Sequence, residues 1–288
     1  MAARQLKIPV TSSFHTHFEH YSQHYGLGWL KQPVIGYLRK LHNCTEATFV
    51  PTLATKQALE AQGYRNLHIL SRGVNPDLFN PHFRSQALRE QWGMKPDDLA
   101  VIHVGRLAPE KNLGLVQSAF AAIQAQHPRA RLIWVGDGPS RTELASKHPD
   151  YIFAGIQTGP ELAAHYASAD LFLFASLTDT FGNVVLEAMA SGNTVLAYAC
   201  AGAAQLIHSG ENGVLASPGN EAEFLAHAVD LARSPQRRKA LASAARITAE
   251  TLSWDHIHAT LEAHLMQIVR KHRRLRAHEE SFIQLLPI

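Results

Sequence analysis

Two pairs of charged residues carry the chemistry this sequence offers. Asp179 and Glu187 stand eight positions apart in the stretch A-S-L-T-D-T-F-G-N-V-V-L-E-A-M-A-S-G, on either side of Phe181, Gly182 and Asn183. A glycine turn that runs into a helix points free backbone N–H groups at one spot, which suits an anion. The flanking carboxylates cannot bind phosphate, but they accept hydrogen bonds from hydroxyls. Arg106 and Lys111 stand five positions apart in the loop G-R-L-A-P-E-K-N. One offers a planar fork of donors and the other a point charge, so together they could straddle a diphosphate. Alone, such a pair is more commonly two surface cations. With the acids, the set describes a ligand with phosphates in its middle and polyols at both ends, as in a nucleotide sugar.

These residues need elements to hold them. The apolar run Ala169–Phe174 predicts a strand before the Asp179 loop, a helix starting near Gly182 or Asn183 follows it, and Val195–Tyr198 predicts the next strand. Leu99–Val104 predicts the strand that carries the Arg106 loop, and Leu113–Gln126 the helix behind it. Arg131–Val135, ended by G-D-G-P at Gly136–Pro139, then Tyr151–Phe153 and Val214–Ala216 read as further strands. Pro160–Ala167, Glu221–Ser234, Pro235–Glu250 and Trp254–Arg276 read as helices. Strands alternating with helices predict a doubly wound parallel sheet, whose ligands bind beyond the carboxyl ends of the strands. Both charged loops fall on that edge.

Ahead of it lies a shorter α/β series: strands at Lys7–Ser13, Ala47–Val50 and Asn66–Leu70, and helices at Val34–Asn43 and Thr52–Gln62, the second closed by Gly63. Asn75 reads as a turn or interdomain residue. A polar connection over Asn80–Pro96 holds a short helix near Ser85–Trp92. The expected domains are therefore residues 1–79, 80–253 and a C-terminal helix with a basic tail at 254–288.

Composition narrows the class. The chain has 288 residues, 46% hydrophobic and 18% charged, which fits a globular protein of about two domains. No apolar run is long enough for a membrane span, and the first residues lack the apolar region of a secretory signal. Two cysteines, Cys44 and Cys200, argue against a disulfide framework and suit a reducing cytoplasm. A net charge of +3 gives no reason to expect nucleic acid. Eighteen histidines are scattered, and His20 and His24 have a ligand-like spacing without a third partner, so no metal site is expected. The cluster from Arg270 to Arg276 reads as a solvated helix C-terminus, with attraction to anionic lipid as the functional alternative.

The combination G-R-L-A-P-E-K-N, G-D-G-P and D-x-F-G-x-x-x-x-E-A-M-A-x-G resembles the donor-binding half of the retaining glycosyltransferases of family 4, group 1. The segments P-V-T-S-S-F-H-T-H-F-E-H-Y-S-Q-H-Y-G, V-P-T-L-A-T-K-Q-A-L-E-A-Q-G-Y and R-G-V-N resemble the later part of that family's acceptor domain. The chain is most similar to the branch of GDP-mannose-dependent α-mannosyltransferases and glycolipid glycosyltransferases. The resemblance implies an α/β GT-B fold of two Rossmann-like domains, the N-terminal one truncated. It implies transfer of a hexose, mannose as the first candidate, from a nucleoside diphosphate sugar to a hydroxyl on a glycan or glycolipid acceptor. It implies no cofactor, and a cytoplasmic enzyme with peripheral contact to the inner membrane face.

Site roles follow from the resemblance residue by residue. Arg106 and Lys111 would hold the diphosphate. Glu187 would bind ribose and Asp179 the transferred sugar. The N–H groups of Phe181, Gly182 and Asn183 would face the sugar, and those of Val184 and Val185 the distal phosphate. Gly136, Phe153, Ala154, Gly155 and Ile156 would border the base. His15 would sit at the sugar–acceptor interface, with Asp179 as its catalytic companion. A structural histidine is the competing reading for His15, since His17 and His20 lie close by.

Three departures bear on activity. The family usually has Glu at the position of Asp179 and Asp at that of Asn75. Its acceptor domain also begins with βα units and a Gly-rich loop that this sequence lacks, on the order of a hundred residues. The expectation is a truncated or split gene product, or a misplaced start, with an inactive nucleotide-sugar-binding fragment as the alternative to an active enzyme. An epimerase or a phosphorylase shares the two-domain form, but the Arg–Lys and paired-acid pattern argues against both.

Overall fold

The structure, a computed structural model, describes residues 2–6, 8–14, 31–177, 179 and 181–284. The chain forms two compact units. One comprises residues 72–254, and the other residues 1–71 with 255–288. The division falls at Ser71 and Arg72, ahead of the connection at Asn80, and the last helix groups with the N-terminal residues.

The unit of residues 72–254 is built on a six-stranded parallel sheet. Its strands are β4 (Ala100–Val104), β5 (Arg131–Val135), β6 (Ile152–Gly155), β7 (Leu171–Phe174), β8 (Thr194–Tyr198) and β9 (Val214–Ala216), in the order β6-β5-β4-β7-β8-β9. Their near-continuous apolar runs reflect burial on both faces. On β7, Phe172 and Phe174 enter one core, with Ile102, Val104 and Val185. Leu171 and Leu173 enter the other, with Val101, Trp134 and Phe120. The helices on these faces are α5 (Leu113–Gln124), α7 (Gly159–Ser168), α8 (Asn183–Ala190), α10 (Glu221–Arg233) and α11 (Pro235–Glu250). The sequence pattern did not show α6 (Arg141–Lys147) or α9 (Ala201–Leu206). Both are short, and no long apolar period marks them.

The connection over residues 80–96 is tied to the amino edge of this sheet. Its helix α4 (Gln86–Gln91) is capped by Ser85. Arg84 and the buried Arg89 reach the Asp170 carboxylate at 2.8 and 3.3 Å, and the Ala100 N–H donates to the same carboxylate at 2.8 Å. Asn75 is a turn residue: its side-chain oxygen accepts from the N–H groups of Asp77 and Leu78.

The other unit holds a three-stranded parallel sheet, β1-β2-β3, of Thr11–Ser13, Ala47–Val50 and Leu67–Ile69. Its core is small, comprising Phe14, Val50, Leu59, Tyr64 and Leu67. Helix α1 spans Ala2–Gln5 and α2 spans Lys31–Asn43. Helix α3 (Leu53–Ala61) starts on a Thr52 cap and stops before Gly63, whose φ of +83° ends it as expected. The last helix, α12 (Trp254–Gln284), runs past Arg276, so Arg270–Arg274 lie within it. This corrects the reading of that cluster as a helix C-terminus: the favourable dipole interaction is confined to a last turn, and the cluster is not in one. Among the described residues no helix is long and apolar enough to cross a membrane.

Candidate functional site

The strand order places the two charged loops side by side. From β4 the chain moves outward to β5 and β6, then crosses back to β7 on the other flank of β4. The chain therefore leaves β4 and β7 toward opposite flanks of the sheet, and the carboxyl edge between them is the topological switch point at which such sheets bind ligands.

The loop after β4 carries Arg106 and Lys111. It is held by backbone contacts with the G-D-G-P turn after β5. Leu107 N–H donates to Asp137 O and Ser140 N–H to Leu107 O, both at 2.9 Å. The two glycines of the turn are required by this approach. A Cβ at Gly136 would lie 2.0 Å from Gly105 O, and one at Gly138 would lie 2.4 Å from Leu107 O. Gly136 N–H also donates to Gly155 O at 2.7 Å, joining the tips of β5 and β6. The weak G-D-G-P signal thus marks the support of the Arg106 loop.

The loop after β7 carries Asp179. Lys111 Nζ donates to both carboxylate oxygens of Asp179, at 2.7 and 2.8 Å, with the two side chains 19% and 22% exposed. The family resemblance implies that these residues serve two different parts of a ligand; in the structure they form one ion pair. Arg106 points outward, 67% exposed, and meets Glu110 at 3.6 Å.

Helix α8 follows directly. Gly182 is its N-cap, with φ +72° and no side-chain cap, and the face of Val185, Leu186, Ala188 and Met189 is buried. The N–H groups of Asn183 and Val184 make no hydrogen bond to a described residue. Val185 differs from expectation. Its N–H donates to Gly182 O at 2.9 Å, so it is not available to a phosphate. The tight first turn closes one residue earlier than the sequence suggested. Phe181 is buried, and its carbonyl lies against α9, where a Cβ at Gly202 would come within 1.8 Å.

Glu187 is partly buried, and its carboxylate accepts from the Tyr166 hydroxyl at 3.1 Å. Burial raises the Glu187 pKa, and the Tyr166 hydrogen bond opposes that rise. Tyr166 lies wholly inside, on α7, with Phe79 edge-on at 5.8 Å. Tyr166 was not legible as a site residue, because one tyrosine in an apolar helix face reads as core. On β6, Phe153, Ala154 and Gly155 are half-buried at the same carboxyl edge, and Ile156 is 72% exposed beyond it. His15, His20 and His24 lie outside the described residues.

His103, the fourth residue of β4, was also missed. Its ring is wholly buried beside Trp134, and Nδ1 donates to Leu173 O at 3.0 Å. Burial lowers its pKa to about 4, with the Leu173 carbonyl opposing; Lys111 lowers it further and Asp179 raises it. The ring is therefore neutral, with the lone pair on Nε2. It interacts electrostatically with both members of the ion pair.

Known proteins match both units. Residues 98–234 match the family profile described as Glycosyl transferases group 1, and residues 1–78 that described as Glycosyltransferase Family 4. A GDP-mannose-dependent alpha-mannosyltransferase of Mycobacterium tuberculosis is 35% identical, over 96% of this chain and 71% of that protein. Sulfoquinovosyl transferase SQD2 of Arabidopsis thaliana is 34% identical over 88% of this chain, and the match spans half of that protein's length. Among solved structures, HepE of Anabaena in complex with UDP and glucose superposes with a TM-score of 0.75 at 23% identity, over 92% of this chain and 73% of that one. That structural likeness carries the fold. The profiles, the extent of the mannosyltransferase match and the two parallel α/β units lead to one assignment: this chain belongs to the family 4, group 1 glycosyltransferases and has the GT-B fold.

Proposed function

We propose that the unit of residues 72–254 binds a nucleoside diphosphate hexose at the switch point, and that the protein transfers the hexose to an acceptor hydroxyl with retention of configuration. The observation that carries this reading is the convergence of Lys111, Asp179 and the start of α8 on one carboxyl edge. Lys111 and Arg106 supply cations for the diphosphate, and the N–H groups of Asn183 and Val184 supply donors to the distal phosphate. Asp179 accepts from hydroxyls of the sugar and Glu187 from those of the ribose. The tips of β5 and β6, at Gly136 and Phe153–Ile156, border the base.

Breaking the bond between the anomeric carbon and the diphosphate oxygen places negative charge on the leaving group. Fixed cations and a helix N-terminus stabilise that charge more than the ground state. This is the contribution asked of Lys111 and Arg106. No metal is needed for it, since side chains and the helix dipole provide the neutralisation. His15 is assigned to the sugar–acceptor interface. GDP-mannose is the first candidate donor, because the mannosyltransferase of M. tuberculosis is named for it. The acceptor class is a glycan or glycolipid: alpha-monoglucosyldiacylglycerol synthase of Acholeplasma laidlawii, a lipid-modifying relative by name, is 25% identical over 94% of this chain. The basic stretch at Arg270–Arg274 is the element assigned to anionic lipid.

Calorimetry with GDP, UDP and their sugar esters tests the donor site. Lys111→Ala removes a charge-assisted contact and is expected to weaken the favoured ligand roughly tenfold to a hundredfold. Glu187→Ala is expected to weaken it about tenfold. Wild-type affinity in both variants would overturn the site. Radiolabelled sugar transfer by the full-length gene product then separates an enzyme from a binding fragment.

A further inference from the structure

Lys111 and Asp179 are each other's counter-ions in a largely enclosed position. The ammonium lies within 2.8 Å of both carboxylate oxygens. Among the described residues no other cation pairs with Asp179. His103, on β4, has spent its one N–H on Leu173 O, and its other ring nitrogen, Nε2, is buried without a hydrogen-bond partner. Cys200, on the loop after β8, carries a thiol, a group that is never a cation; burial and then the Asp179 charge raise its pKa and favour the neutral form. Arg106, the other cation of the Lys111 loop, points outward and meets Glu110. Among the described residues Lys111 is the ion-pair partner of Asp179.

The consequence is a coupling between the two halves of a ligand. A phosphate that draws Lys111 away leaves a partly buried carboxylate without its counter-charge and beside a new anion. Stranding one member of such a pair costs more than the pair itself contributes. A ligand that also brings hydroxyls to Asp179 restores its hydrogen bonds and removes most of that cost.

We propose that the Lys111–Asp179 pair makes Asp179 a specificity-determining residue that favours the intact nucleotide sugar over the free nucleoside diphosphate. The proposal rests on the donor-site reading above. Only the intact donor compensates both members of the pair. Once the hexose has left, Asp179 competes with the diphosphate for Lys111 and assists product release.

The test is calorimetry on the full chain with GDP, UDP and ADP, each as the free diphosphate and as its mannose or glucose ester. Asp179→Asn is expected to bind the free diphosphate roughly tenfold tighter than wild type while binding the ester no tighter, so the ratio between them collapses. Asp179→Glu keeps the charge and is expected to retain a wild-type preference. Should the Asn variant fail to fold, Asp179→Ser carries the same comparison. An unchanged ratio, or weaker binding of the free diphosphate in the neutral variant, overturns the proposal. Lys111→Ala keeps the two readings apart. If it binds diphosphates like wild type, or if wild type binds none of them, the donor site itself is wrong. If it binds them poorly while Asp179→Asn gains nothing, only the pair proposal falls.

Discussion

Residues whose ordinary reading is core or surface hold this site. His103 sits in a strand of apolar neighbours, where a histidine would pass as packing, yet its titration is coupled to folding. Its unfolded ring takes up a proton near pH 6.5 and its folded ring only near 4. Between those values the unfolded chain holds the extra proton, so stability is full above about 6.5 and falls as the pH drops toward 4. The His103 contribution over that window is about 3 kcal/mol. Urea unfolding across pH 4 to 7 is expected to show a shallower decline in His103→Gln than in wild type. Parallel curves would show that the ring titrates normally. Asp179 and Lys111 could be picked out as candidate ligands for a sugar and a diphosphate, because side-chain chemistry can be read from type and spacing. Their mutual ion pair was not, since no local rule links residues in loops after β4 and β7.

At the scale of elements, the loop after β8 shows how tightly the carboxyl edge is built. Ala201 opens α9 with φ +48°, a left-handed conformation that costs a residue with a Cβ about 1 kcal/mol. Its neighbour Gly202 has an ordinary φ but lies against the Phe181 carbonyl, which leaves no room for a Cβ. Adjacent substitutions are therefore expected to act in opposite directions. Ala201→Gly relieves the backbone and is expected to raise stability by about 0.5 kcal/mol, after the entropy cost of glycine. Gly202→Ala pushes Phe181 away, with an expected loss of about 2 kcal/mol and weaker nucleotide binding. Thermal melts and calorimetry of both variants check this; equal stability of the two would contradict the packing described. The strands β2, β5 and β9 keep the bounds their apolar runs predicted. The short helices α6 and α9 escaped notice because tertiary contacts, more than local periodicity, hold elements of that length.

On the scale of the molecule, the unit of residues 72–254 has a six-stranded sheet covered on both faces and its own two cores. Expressed alone, it is expected to unfold cooperatively and to bind a nucleoside diphosphate within about threefold of the full chain, a difference of less than 1 kcal/mol. A non-cooperative melt, or loss of binding, would show that the rest of the chain completes the site. The sequence by itself determined the alternation of strands and helices, the two charged loops on the carboxyl edge and the family, because these depend on periodicity and on motifs contiguous in the chain. Tertiary structure alone decided that Lys111 grips Asp179, that Tyr166 holds Glu187, that Val185 N–H is spent on Gly182, and that the glycines of G-D-G-P and Gly202 are close-approach positions. The Val185–Gly182 bond is local and depends on how the turn into α8 closes. The Lys111–Asp179 contact depends on the sheet order β6-β5-β4-β7-β8-β9, which pairs β4 with β7 although His103 and Leu173 stand 70 positions apart. Long-range pairing of that kind leaves no mark in local spacing, so only the folded sheet can show which loop faces which.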